Sequence, residues 1–181
     1  MTSETDRPVL SRPLKVKEIG DGASGEIAAT AAEMEAIARL LDLVRLEGLT
    51  FTYRLDQGGG GRWRLSGRLK ANVTQTCVRS LEPVEAGHEV SVEVEFWPAS
   101  LLAELEERAE GADGKGLLNW PEPIADGRID LGPVIYETLA TALDPYPKRA
   151  GVSFDWPESE SKRAQQAESG PFAALAALKR R

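Results

Sequence analysis

Leu14-Lys15-Val16-Lys17-Glu18-Ile19 alternates apolar with charged residues, the period expected of a strand that buries one face. A Gly-rich turn is expected after it. Thr30-Ala31-Ala32-Glu33 then has the spacing of a capping box, in which the Thr hydroxyl and the Glu carboxylate each satisfy a backbone N–H left free at a helix start. Met34, Ile37, Leu41 and Val44 recur at intervals of three and four, which predicts a helix ending before Gly48.

From Leu49 to Trp97 the pattern becomes two-fold. Leu49, Phe51, Tyr53 and Leu55 lie on one side of a strand, with Thr50, Thr52 and Arg54 on the other. Gly58 to Gly61 turns the chain. Trp63, Leu65, Leu69, Ala71 and Val73 then alternate with Arg62, Arg64, Ser66, Arg68, Lys70 and Asn72 on a long strand. After Pro83 and Gly87, Val90, Val92, Val94 and Phe96 alternate with Glu89, Ser91, Glu93 and Glu95. Three consecutive strands joined by turns predict an antiparallel meander with helix on its apolar face, closure into a barrel being the alternative.

Glu104 to Leu118 is acidic and Gly-rich, so a short helix passing into a flexible loop is expected there. A second main helix is predicted where Asp130 can cap, Pro133 suits the first turn, and Leu131, Ile135, Leu139 and Leu143 recur every four residues. Asp144-Pro145-Tyr146-Pro147 ends it, because a residue before proline avoids the helical region. The pattern as a whole is α+β: a flexible leader at 1–12, one domain at 13–154, and a disordered linker with a short helical segment at 155–181.

The 181 residues suffice for one domain with a proper core. With 29 acidic against 22 basic residues the net charge is -7, which opposes sequence-blind attraction to phosphate backbones and favours basic partners. One cysteine, Cys77, excludes an internal disulfide framework, and Met1 to Pro13 lacks the apolar core of a signal peptide. The longest apolar run, Phe172 to Leu178, falls far short of the roughly 20 residues that span a bilayer. A cytoplasmic protein without membrane contact is expected.

One cysteine and one histidine leave little for chemistry. Cys77 and His88 would serve as nucleophile and base only within hydrogen-bond reach of each other; otherwise they read as a half-buried small hydrophobe and a histidine in a turn. Four zinc ligands of the usual type cannot be assembled from one chain. Gly58 to Gly61 lacks the Gly-Lys-Ser/Thr ending of a phosphate-binding loop. No catalytic residue, metal, cofactor or small-molecule substrate is therefore expected. The basic face of Arg62, Arg64, Arg68 and Lys70 could track RNA phosphates as a stripe. The favoured alternative is that it is neutralised by Glu89, Glu93 and Glu95 on the next strand, and the register decides between the two.

Gln75-Thr76-Cys77-Val78-Arg79-Ser80-Leu81-Glu82-Pro83-Val84 resembles the signature of the bacterial YceD family, the large ribosomal RNA subunit accumulation proteins, which usually has two cysteines three apart before Leu-Glu-Pro. The likeness continues through Trp120-Pro121-Glu122-Pro123, Ile129-Asp130-Leu131-Gly132-Pro133 and Ala142-Leu143-Asp144-Pro145-Tyr146-Pro147. It closes with Pro171-Phe172-Ala173-Ala174-Leu175, similar to the tail of the alphaproteobacterial branch. Ser80 stands where many relatives have their second cysteine, so a metal role is not carried over. The resemblance implies a part in accumulation or maturation of large-subunit rRNA and no known reaction. A non-enzymatic factor that binds a ribosomal protein or an rRNA precursor is expected, with Trp120, Tyr146, Phe172 and Leu175 as candidate anchors.

Overall fold

The computed structural model describes residues 8–110 and 120–151, with the side chains of 108–110 excepted. The chain divides into a unit spanning Met1–Arg149 and a second spanning Ala150–Arg181, of which 152–181 lie outside the described residues. The expected linker and helical tail, with Phe172 and Leu175, fall there.

In chain order the elements are β1 (Pro13–Lys15), β2 (Gly22–Ala28), α1 (Ala31–Leu40), β3 (Arg45–Gln57), β4 (Trp63–Thr76), β5 (Pro83–Pro98), α2 (Ala99–Glu110), β6 (Glu122–Ile124), β7 (Arg128–Asp130) and α3 (Leu131–Ala142). Strands β2-β3-β4-β5-β6 form one sheet, antiparallel except where β6 runs parallel to β5 over Phe96–Pro98, and β1 pairs with β7 in a small second sheet. The meander and the α+β class are as expected. The barrel alternative is not: β6 is three residues long and β2 sits at the far edge, so the sheet stays open. Among the described residues no helix is long and apolar enough to cross a membrane.

Alternation in the long strands sorts side chains between a core and a polar face. Phe51, Leu55, Trp63, Leu65, Leu69, Ala71 and Val73 join Ile37 of α1 and Leu131, Ile135 and Leu139 of α3 in one buried cluster. The gap in β4's apolar row is Gly67, where an added Cβ would meet the Phe51 ring at 2.2 Å, so glycine makes room for the largest fully buried side chain of β3.

Three local expectations are corrected. The helix after Thr30 forms with the capping box intact but stops at Leu40, short of Val44. Asp42 takes a left-handed conformation (φ 52°) and the Leu43 N–H donates to the Ala38 carbonyl at 2.8 Å, a Schellman closure that sends the chain into β3. That strand therefore starts at Arg45, and a bulge around Gly48 (φ 61°) absorbs the change of register between Glu47 and Thr50. Residues 22–28, within the stretch read as a turn, form β2, while the alternating segment at 14–19 contributes only Leu14 and Lys15 to β1.

Asp130 caps α3 by accepting from the Gly132 N–H at 2.9 Å, and it also accepts from the Arg12 N–H and the Ser11 hydroxyl, both at 2.6 Å. Leu10, Ser11 and Arg12, placed by pattern in the polar leader, are thereby tied into the body, with Leu10 only 2% exposed.

Candidate functional site

The register of β4 against β5 decides the nature of the basic face. Arg64 lies opposite Glu95 and Lys70 opposite Glu89, while Arg68 faces Ser91 and reaches Glu89 diagonally. The resulting pairs are Arg64–Glu95 at 3.1 Å, Arg68–Glu89 at 2.9 Å and Lys70–Glu89 at 3.6 Å. Arg62 departs from the stripe: its guanidinium stacks 4.1 Å above the Trp97 ring. Glu95 is held below the usual carboxylate range by the Trp97 indole N–H first and by Arg64 second. Three of the four candidate RNA contacts thus already have carboxylate partners. The Gly58–Gly61 segment is the hairpin turn expected of it, closed by the Gly58 N–H donating to the Arg62 carbonyl at 2.8 Å.

At the other end of these strands the sheet brings together two segments far apart in sequence. Cys77 to Glu82 turns from β4 into β5, closed by the Cys77 N–H donating to the Glu82 carbonyl and the Leu81 N–H donating to the Cys77 carbonyl. Residues 144–149, leaving α3, lie across this turn. The Val78 N–H donates to the Pro147 carbonyl at 2.9 Å, the Gln75 side-chain amide donates to the Asp144 carbonyl at 3.0 Å, and Arg149 pairs with Glu82. Arg149 holds the Glu82 carboxyl below its usual range. Asp144 accepts from the Tyr146 N–H at 2.8 Å, shaping its own turn, and Pro145 and Pro147 stiffen the crossing. The Gln75–Pro83 and Asp144–Pro147 motifs are therefore two halves of one clamp. Arg149 completes it, although nothing in the local sequence marks that residue.

Cys77 sits beneath the clamp, fully buried rather than half-buried. Its Sγ accepts from the Ser80 N–H at 3.4 Å and the Arg149 N–H at 3.5 Å. Donors from Ser80, side chain first and then backbone, followed by the Arg149 and Arg79 backbones, draw the thiol down to about 6 against a small opposing cost of burial. Thiolate absorbance at 240 nm is accordingly expected to rise with a midpoint near pH 6 in the folded chain, and a midpoint above 8 would contradict these bonds. The thiol has no catalytic partner in His88, which lies opposite Ala71 on β5, six residues back along β4 and so roughly 20 Å away. Nor do the residues present fit a metal: Ser80 offers its N–H to the sulfur, and among the described residues no group of three or more His, Cys, Asp or Glu side chains could hold an ion.

Beside the exposed Arg149–Glu82 pair the clamp also holds apolar side chains outward. Val78 is 48% exposed, Tyr146 69% and Leu81 76%, and Leu81 takes a left-handed conformation (φ 60°) that branched side chains avoid. An exposed leucine by itself means little. Here the leucine is kept exposed in a strained turn, and Tyr146 is presented from the segment that crosses it. Trp120, at 42% exposure, lies elsewhere, just before β6.

The family model described as Large ribosomal RNA subunit accumulation protein YceD matches residues 65–179, more than half of the chain and both halves of the clamp. The chain belongs to the YceD family. Its name ties this YceD protein to accumulation of large-subunit ribosomal RNA. No curated protein and no solved structure matches it. Of the YceD motif residues, Cys77, Leu81, Glu82, Pro83, Asp144, Pro145, Tyr146 and Pro147 converge on the clamp, whereas Asp130, Leu131 and Gly132 start α3.

Proposed function

We propose that this YceD-family chain is a non-enzymatic factor that supports large-subunit rRNA accumulation by docking a ribosomal protein onto the surface of Leu81, Val78 and Tyr146. The observation that carries this reading is Leu81, 76% exposed and held at φ 60° by a turn bonded to residues 144–149. A strained conformation costs on the order of 1 kcal/mol and is retained only when the surroundings over-determine it, often for function. A rigid turn and a flat aromatic lose little entropy on binding, which suits anchors. The chain's net charge of -7 suits a basic partner. Direct RNA binding by the Arg62–Lys70 face has less support, because Glu89 and Glu95 already occupy Arg64, Arg68 and Lys70.

Leu81→Asn separates function from folding. Asparagine tolerates the left-handed region, so the variant is expected to be as stable as the parent or slightly more stable, by about 0.5 kcal/mol. It should nevertheless lose at least tenfold in capture of a ribosomal protein from ribonuclease-treated lysate, as should Tyr146→Ala. Undiminished capture by both variants would refute the docking surface. Capture that vanishes with ribonuclease for the parent itself would favour RNA as the partner.

A further inference from the structure

The outer edge of β5 adjoins the clamp and, among the described residues, is open. Strand β5 begins at Pro83, immediately after the Leu81 turn, and pairs with β4 from Pro83 to Phe96. On its other side β6 pairs only with Phe96–Pro98, and among the described residues no strand or backbone group pairs with the edge between Glu85 and Glu93. The direction of each backbone group follows from the ladder. The Cys77 N–H donates to the Glu82 carbonyl, so in an antiparallel pair every second residue onward (Val84, Ala86, His88, Val90, Val92, Val94) turns its N–H and C=O toward β4. Glu85, Gly87, Glu89, Ser91 and Glu93 turn theirs outward.

The side chains along this edge have an equally regular pattern. On the polar face the outermost row is Glu85, Glu89 and Glu93 with Gly87 and Ser91 between them, and Glu93 makes no ion pair among the described residues. On the other face Val84, Val90, Val92 and Val94 are only half-buried, since α1 and α3 cover the sheet but leave this margin incomplete. Such an edge is a template for strand addition. Self-pairing is opposed by its own charges: a second copy running antiparallel about Glu89 would set Glu89 against Glu89 and Glu85 against Glu93. The opposite edge, β2, offers Ile27, otherwise small side chains, and the single charge of Glu26.

We infer that the β5 edge from Glu85 to Glu93 binds an extended protein segment in which basic residues alternate with apolar ones. The segment adds a sixth strand, its cations lying beside the glutamate row and its apolar side chains covering Val90, Val92 and Val94. The inference rests on the protein-docking reading above, and places that partner's extended segment alongside the Leu81 and Tyr146 anchors.

The test uses the full chain and a synthetic peptide of about nine residues alternating lysine with valine, the length that spans the open edge. Amide hydrogen exchange at Gly87, Glu89, Ser91 and Glu93 is expected to slow at least tenfold when the peptide is added, and the effect should fall with salt. A glutamate–valine peptide, or the lysine–valine peptide with its edge-facing amides N-methylated, should give no protection. Ser91→Pro removes an outward N–H without touching the β4 ladder, and Glu93→Lys reverses an unpaired charge; each should weaken peptide binding at least fivefold. The proposal is overturned if the peptide gives no protection, or if both variants bind it as the parent does. It is also overturned if these amides are already protected in the free monomeric chain, meaning the chain fills its own edge, or become protected only as protein concentration rises, meaning a second copy does. Peptide binding unchanged in Leu81→Asn keeps the edge separate from the anchors, so either can fail without the other.

Discussion

Replacing Gly132 with alanine is expected to destabilise the fold by about 3 kcal/mol, lowering the melting temperature by roughly 6–12 °C for a chain of this size. The reason is a backbone-on-backbone approach. An added Cβ would stand 2.0 Å from the Leu10 carbonyl oxygen and 2.5 Å from its carbon, far inside contact distance, with no flexible side chain to yield. Displacing Leu10 would pull a buried side chain from the core and strain the bonds from the Arg12 and Leu131 backbones that seat residues 10–12 on the start of α3. The check is a denaturant or thermal melt of Gly132→Ala against the parent, and a difference below 1 kcal/mol would contradict the packing. Asp130→Ala probes the same junction from the other partner. It removes a helix cap and leaves the Arg12 N–H without its acceptor, at a cost of about 1–2 kcal/mol.

The second large effect is acid-linked. Glu33 accepts both guanidinium nitrogens of Arg12 at 2.8 Å, the Thr30 N–H at 2.8 Å and the Thr30 hydroxyl at 3.0 Å. The Arg12 bonds are the main reason its carboxyl is drawn from 4.5 down to about 2. Full displacement corresponds to roughly 3 kcal/mol, and solvent screening of a pair only 30% and 21% exposed reduces this to about 2 kcal/mol. A carboxyl depressed in the folded state stabilises it above the ordinary range, and that stabilisation is lost as pH falls from 4.5 to about 2. Glu33→Gln should therefore be about 2 kcal/mol less stable than the parent at pH 7, with the gap closing by pH 2. A gap independent of pH would mean that the ion pair contributes little.

The same junction marks the boundary of what pattern reading reaches. Elements governed by neighbours in sequence were evident: the capping box at Thr30, the Asp130 cap, the alternation that builds β3, β4 and β5, and the turn at Gly58–Gly61. Each depends on contacts within a few residues or on a simple period. Where a short-range choice depended on backbone dihedrals, the pattern misled. Val44 continues the helical spacing of Met34, Ile37 and Leu41, but Asp42 in the left-handed region ends α1 first, and a period alone cannot register such a change of hand. For β2 there was no period to read, because Gly22, Gly25 and three small side chains offer almost no hydrophobic contrast.

The sequence by itself determined the class of fold, the two faces of the long strands, the scarcity of groups for chemistry and, through its motifs, the family. Tertiary structure alone decided what those faces and motifs do. Whether Arg64, Arg68 and Lys70 are free for phosphate or held by Glu89 and Glu95 depended on the register of β4 against β5, since a shift along the ladder changes every cross-strand partner. That Gln75–Pro83 and Asp144–Pro147 form one clamp depended on the return of the chain from α3, which brings together groups about seventy residues apart such as Cys77 and Arg149. Local patterns record which side of a strand is apolar; they carry no record of which distant segment lies against it.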